Sequence, residues 1–412
     1  MRVPMAAGGS ALLLGSDFKA LAAARSLSRL GVRVTVVDSD PRSAWYSRHV
    51  ARRVRWHSSL DDAALVDRLL AGARDEGMAG AVVFPMQDEA VELVSRHHRE
   101  LSAAFVLTTA PWDRLRRAHQ KTLMYEASNA AGVRHPMTWM PANEEQLRQL
   151  PIVFPAIIKP AVSPLLVNAI RRKALLAEDW TELLDKYRLA ARHVSANQLL
   201  VQEFIPGGGE QQFSYCALSV EGTVLTSMTA RRLRQYPIDF GMSSSFVEAV
   251  EVPELEAPSK RLLTELGLSG ILELEYKRHP ISGEYHLLDI NVRPWAWHGL
   301  CTACGVDFIE LEYRRVTGGS IPATKPRYDV RWRRFITDVP AGAALLRAGQ
   351  IGLGAYMRSL RGRTASSVFE LGDPLPALAD VPISALRVLR RRRRRSPHAT
   401  VAAAVPETTQ AG

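Results

Sequence analysis

Disulfide chemistry has almost no foothold in this chain. Its 412 residues include three cysteines, Cys216, Cys301 and Cys304, which is no disulfide framework and fits a reducing compartment. Cys301 and Cys304 form a CxxC, but no second pair or nearby histidine cluster completes a zinc site. They read as small residues of a helix. Long apolar runs are missing as well. Nothing reaches the about 18 residues of a membrane span, and the run Ala11 to Leu14 is interrupted by Asp17 and Lys19 too early for a signal peptide. The folded body is therefore expected in the cytoplasm. A third absence concerns glycine. After the first apolar strand comes GSDFKA and not GxGxxG, so the close backbone approach to a pyrophosphate is not encoded, and Asp38 at the end of the next strand has no dinucleotide ribose to grip.

What is present is long enough for roughly two or three domains. Net charge is +11, but the excess is uneven: Arg390 to Arg395 is an unbroken run with Arg387 just before it. Such a run suits a solvated interaction tail or, next to apolar residues, an anionic membrane surface, so peripheral contact with an inner membrane face through Arg390–Arg395 is one expectation. No specific nucleic-acid partner is expected.

Residues 11 to 40 read strand, helix, strand, and a second unit follows with a helix near 61–74 and the strand AVVFP at 81–85. Alternating strands and helices imply parallel pairing, with Gln87, Asp88 and Glu89 at the carboxyl edge where such sheets bind ligands. A single helical stretch is expected from Asp113 to Gly132, carrying Lys121. Lys159 ends the buried strand within PIVFPAIIKP. Each lysine alone suits a snorkelling edge residue, and the two together suit a phosphate grip. An amphipathic helix is expected over 176–193. LLVQEFIPGGGEQQFSYCALS then runs strand, glycine turn, strand, with Glu203, Phe204 and Ile205 before the turn and Glu210 after it. No helix follows the glycines to make a phosphate loop. Arg231, Arg232 and Arg234 crowd the next strand, as a fork for carboxylate or phosphate or as a solvated basic edge.

The most informative stretch is GILELEYKRHPISGEYHLLDINVR, Gly270 to Arg293. Leu272 and Leu274 alternate with Glu273 and Glu275, and Ile290 and Val292 alternate with Asp289, Asn291 and Arg293. This period of two predicts two strands, each with one apolar and one polar face. Paired antiparallel, they gather Glu273, Glu275, Asp289 and Asn291 on one side. Oxygen ligands in this number suit Mg²⁺; a solvated charged face is the other reading.

Lys121, Lys159, VQEFIPGGGE, the acidic strand and DINVR occur in the order used by ATP-grasp ligases, and residues 110 to 320 resemble that family. GGGEQQFSY, ARRLRQYPIDFG, LELEYKRHP and DINVRPWAWH look like its carboxylate–amine ligase, or carboligase, branch. The resemblance implies an α/β and α+β protein: a Rossmann-like pre-ATP-grasp domain over 1–110 and an ATP-grasp domain over 111–325 with ATP between two subdomains. Composition adds a C-terminal helical and basic extension over 326–395 and a disordered tail over 396–412. The resemblance implies ATP and Mg²⁺ as cofactors. Lys121 and Lys159 would contact phosphates, Glu203 the adenine amino group, Phe204 and Ile205 the adenine ring, and Glu210 the ribose. Asp289 and Asn291 would hold the metal with Glu275 or Glu273, Glu275 being favoured by the shorter reach to Asp289. Arg293 would stabilise the acyl phosphate and its tetrahedral successor, with Arg232 also catalytic. The family's glycine-rich lid is missing: KPAVSPLLVNAIRRK contains no glycine, leaving phosphate cover to Lys173 or Arg171.

The implied reaction joins a small-molecule carboxylate to an amine through an acyl phosphate and releases ADP. Rival readings are a carboxylase or kinase of a small molecule on the same fold, and a non-catalytic ATP-binding module. Trp295, Trp297 and His298 after the metal strand would line an acceptor pocket or pack internally.

Overall fold

Residues Ala11 to Leu14 are buried on both faces, as a central strand of a parallel sheet requires. The computed structural model describes residues 9–57, 60–160, 174–238, 241 and 243–393. Among them, strands β1 (Ser10–Leu14), β2 (Arg33–Asp38), β3 (Arg52–Arg55), β4 (Val82–Pro85) and β5 (Val106–Leu107) form an all-parallel sheet ordered β3-β2-β1-β4-β5. The order reverses at β1, so the carboxyl ends of β1 and β4 flank a crevice. Asp17 caps the helix Phe18–Arg29 by accepting from the Lys19 and Ala20 N–H groups. Asp38 accepts from Ser16 N–H at 2.8 Å and Ser16 Oγ at 2.6 Å. Its carboxylate closes the loop after β1, in keeping with the missing dinucleotide fingerprint.

A second sheet, ordered β6-β9-β7-β8, is antiparallel and built from β6 (Thr138–Trp139), β7 (Ala156–Pro160), β8 (Leu175–Ala177) and β9 (Leu199–Glu203). The helix Trp180–Ala191 buries Leu183, Leu184, Tyr187 and Ala190 against it. This helix is shorter than the expected 176–193, because Leu175–Ala177 pair with β7 as a strand.

The largest sheet comprises β10 (Gln212–Val220), β11 (Thr223–Tyr236), β12 (Ser243–Ala249), β13 (Gly270–Arg278), β14 (Tyr285–Asn291), β15 (Val330–Arg333) and β16 (Arg363–Ser366), ordered β14-β13-β10-β11-β12-β15-β16. All neighbours are antiparallel except β15 and β16. β13 and β14 pair Glu273 with Asn291 and Glu275 with Asp289, the register expected from the alternation. Leu272, Leu274, Tyr276, Leu287 and Ile290 sit in a core with Leu262, Leu263 and Leu266. Each large apolar side chain is worth about 2 kcal/mol buried. A one-residue slip would expose the whole set, and this locks the acidic face in place.

The helical stretch expected over 113–132 is two helices, Trp112–His119 and Lys121–Ala130, broken at Gln120, whose backbone is extended (φ −87°, ψ 123°). No proline or glycine marks the break. The two halves serve different packing partners, Leu115 and Ala118 on one and Met124, Tyr125 and Ala127 on the other. The break sets Lys121 at the first position of the second helix.

Beyond β15 come helices Phe335–Arg347, Leu353–Ser359 and Leu375–Arg393. The chain's end returns to its beginning: buried Asp373 accepts from Ser47 Oγ at 2.7 Å, Arg48 N–H at 3.1 Å and Arg25 Nε at 3.1 Å.

Candidate active site

A cleft of about 360 Å³ lies between the second and third sheets. The alternation of β7 turns Ile157 and Lys159 toward it and buries Ile158 behind. The end of β9 supplies Glu203, followed by Phe204 and Ile205. β11 supplies Arg232, β13 Glu275, β14 Asp289, and the start of helix Lys121–Ala130 supplies Lys121. Eight of the residues singled out from sequence thus line one cavity, although they are scattered over some 170 residues of chain. Glu210, Glu273, Asn291 and Arg293 are not in its wall, and Lys173 and Arg171, with the rest of the glycine-free segment after Pro160, lie outside the described residues.

Lys121 Nζ stands 2.5 Å from Asp289 Oδ1 and donates to Leu288 O at 3.0 Å. Burial works against its charge, but the Asp289 carboxylate outweighs burial and holds the Lys121 pKa above the usual value. Lys159 Nζ donates to Gln202 Oε1 at 2.7 Å, and the Gln202 amide donates to Tyr125 OH at 2.8 Å and Thr138 Oγ1 at 2.6 Å. Gln202 thereby ties one cleft lysine to the helix that carries the other. Glu203 accepts from Met137 N–H at 3.0 Å.

The acidic hairpin shows how the cluster is tolerated. Asn291 Nδ2 donates to Glu273 at 2.9 Å and Glu275 at 3.0 Å, and Ser214 Oγ donates to Glu273 at 2.9 Å. Burial first, then the adjacent Glu275, pushes the Glu273 carboxyl up to about 8. Arg232 reaches Glu275 at 3.5 Å. Among the described residues no three acidic, histidine or cysteine side chains converge on one metal position. Two carboxylates at the cleft wall with an amide beside them still match a Mg²⁺ site, because this ion is held by one or two carboxylates plus substrate phosphates.

Arg293 lies away from the cleft wall, forked onto Asp88 at 2.6 and 2.8 Å. Burial pushes the Asp88 carboxyl up, but the Arg293 guanidinium beside it prevails and lowers it to about 2. The carboxyl edge of β4 and the end of the acidic hairpin are thus joined by one bidentate pair. Glu210 sits in the turn Gly209–Gln211 and accepts from Gly208 N–H at 3.0 Å.

The three crowded arginines separate. Arg231 pairs with Glu248, Arg232 enters the cleft, and Arg234 is buried on Asp338 at 2.7 and 3.0 Å between the rings of Phe246 and Tyr356. A bulge between Arg232 and Arg234 breaks the alternation. Neither reading from sequence describes all three. Trp295 and Trp297 are buried in the core, and His298 faces Lys19 O at 3.0 Å, so this trio packs internally. Cys301 and Cys304 are buried free thiols at a helix end.

Sequence reasoning missed Lys277. It follows Glu273 and Glu275 at period two, and the signal was there to use. It is 8% exposed, lines the cleft, and holds its ammonium 4.8 Å from the centre of the Phe204 ring. Burial lowers its pKa to about 8 against the pull of Glu210.

No family model matches the sequence. The D-aspartate ligase of Enterococcus faecium (strain Aus0004) is 25% identical over 302 residues, 68% of this chain and 70% of the relative. Among solved structures, an L-amino acid ligase from Bacillus licheniformis superposes with a TM-score of 0.59 at 15% identity, covering 77% of each chain. The biotin carboxylase domain of Hydrogenobacter thermophilus 2-oxoglutarate carboxylase, solved with MgADP, ADP and bicarbonate, gives a TM-score of 0.63 at 14% identity, covering 78% of this chain and 73% of that one. The solved structures share the fold of this chain, and the ligase relative shares sequence along two thirds of it.

Proposed function

We propose that the protein is an ATP-dependent carboxylate–amine ligase that forms an acyl phosphate and releases ADP and phosphate. The observation that carries this reading is the convergence of Lys121, Lys159, Arg232, Glu275 and Asp289 with the Glu203–Ile205 segment on one cleft. Direct attack of an amine on a carboxylate fails because the leaving group is an oxide. A carboxylate oxygen of the substrate therefore attacks the γ-phosphorus of ATP, and the bond to the ADP oxygen breaks. The amine then attacks the acyl carbon, phosphate departs, and the amine nitrogen gives up a proton.

Phosphoryl transfer needs mainly positioning and electrostatic stabilisation. Lys121, Lys159 and Arg232 would supply fixed positive charge to the phosphates, and the Glu203–Ile205 segment a seat for the base. Glu275, Asp289 and Asn291, with Glu273 behind them, would hold Mg²⁺, which when bound adds positive charge against the triphosphate. Arg293, through Asp88, would keep the end of the hairpin on the crevice of the first sheet, where the acceptor has room. The carboligase branch is the finer assignment, and the D-aspartate ligase relative makes amino acids the first substrates to try. Cytoplasmic location and contact with an anionic membrane are proposals too, the second with its own structural ground in the C-terminal helix.

The test is ADP release by purified protein screened against pairs of amino acids and other small carboxylates and amines. ADP with phosphate is expected, and Asp289→Ala should lower the rate at least about a hundredfold. AMP with pyrophosphate, or turnover unaffected by Asp289→Ala, would overturn the reading.

A further inference from the structure

The helix Leu375–Arg393 is inside out. Polar contacts hold its inward side, beside a buried Pro376 and a half-buried Ile383: Asp380 accepts from Ser43 Oγ at 2.7 Å and pairs with Arg334 at 3.2 Å, and Arg387 pairs with Asp40 at 3.2 Å. Its outward positions are apolar. Leu375, Leu378, Val381 and Leu386 are 52–71% exposed, and Leu371 in the preceding turn is 88% exposed. Leu375, Leu378, Val381 and Leu386 fall within an arc of about 140° on the side of the helix away from Asp380. Between Leu371 and Leu386 the charged residues are Asp373 and Asp380, both buried, so the exposed face carries no charge. A helix packed on a globular body normally turns its apolar stripe to the core; this one is anchored by acids and presents its leucines to water.

The same helix continues to Arg393, and the sequence extends the arginine run to Arg395. We propose that this face docks on an anionic lipid bilayer, the leucines entering the interface and the arginines meeting the headgroups. An apolar stripe or a polybasic run alone gives marginal attachment, and the two together make a stable one. A second copy of the chain would bring its own arginine run to the same face, where like charge opposes pairing. No helix of the described residues is long and apolar enough to cross a membrane, so the contact is a surface one.

The test is sedimentation of the full chain with vesicles of equal parts phosphatidylcholine and phosphatidylglycerol, and with phosphatidylcholine alone. Binding to the mixed vesicles is expected, weakened by salt and weak on neutral ones. Leu375→Glu with Leu378→Glu should reduce partitioning roughly tenfold or more, with the thermal unfolding midpoint unchanged because both side chains are exposed. Replacing Arg390–Arg395 by glutamines should remove the preference for anionic lipid. The proposal fails if the native chain stays in solution with mixed vesicles at low salt, if the double variant binds as well, or if the native chain is a dimer that the double variant turns into a monomer. None of these readouts uses ligase activity, so either reading can fail without the other.

Discussion

Lys277 is a lysine held in surroundings that its type does not prefer. Its folded pKa, about 8, lies below the ordinary 10.5, so the folded state disfavours the charged form. Below pH 8 the lysine is charged in both states and the full penalty is present; as pH rises from 8 to 10.5 the unfolded chain binds more protons and the penalty is relieved. Lys277→Met should therefore raise stability by on the order of 2 kcal/mol at neutral pH, with the gain fading toward pH 10.5, as urea unfolding across that range would measure. If the lysine also touches nucleotide, the same variant should weaken ATP binding in calorimetry. Period-two alternation exposed Glu273, Glu275 and, unused, Lys277. Both glutamates share a strand face, and the sequence favours Glu275 for its shorter reach to Asp289; Glu275 lines the cleft, while the pairing of Glu273 with Ser214 and Asn291 behind the wall is a product of β10 and β14 lying alongside.

Among elements, β9 bears on the cleft and the β10–β11 turn on the packing of the helix Glu256–Leu266. Gln202 on β9 is buried and bonded to Lys159, Tyr125 and Thr138, so Gln202→Leu would remove one hydrogen bond from each of the three. A loss of about 1–3 kcal/mol is expected in denaturant unfolding, with weaker ATP binding as Lys159 loses its anchor. Gly222 has φ +80°, and a Cβ there would meet Leu263 O at 2.6 Å, in the backbone of the helix Glu256–Leu266. Gly222→Ala should cost at least about 2 kcal/mol, with the thermal midpoint falling accordingly. The turn at Glu221 and Gly222 was readable from local chemistry. The break at Gln120 was not, because it answers to two packing surfaces and not to any breaking residue.

At the scale of the whole molecule, buried or bidentate ion pairs join distant parts of the chain. Arg25 is 6% exposed and held by Asp373 and Glu370, so Asp373→Ala would take the buried one of its two carboxylates and should cost about 3 kcal/mol, seen in thermal unfolding. Arg293 and Asp88 join the hairpin to the first sheet. Asp88→Asn and Arg293→Gln should each slow ADP release, and the double variant should be little worse than either single one, as a cycle of rates would reveal. The sequence alone determined the parallel first sheet, the acidic hairpin with its register and the order of cations and acids, because periodicity and turn chemistry are local properties of neighbouring residues. Only the tertiary structure decided that Arg293 is engaged by Asp88, that the three arginines of β11 part company, that Trp295 and Trp297 are core, and that the last helix shows its leucines to water. Each of these depends on which surface a side chain meets across more than a hundred residues, or across a bulge, and no spacing along the chain encodes it.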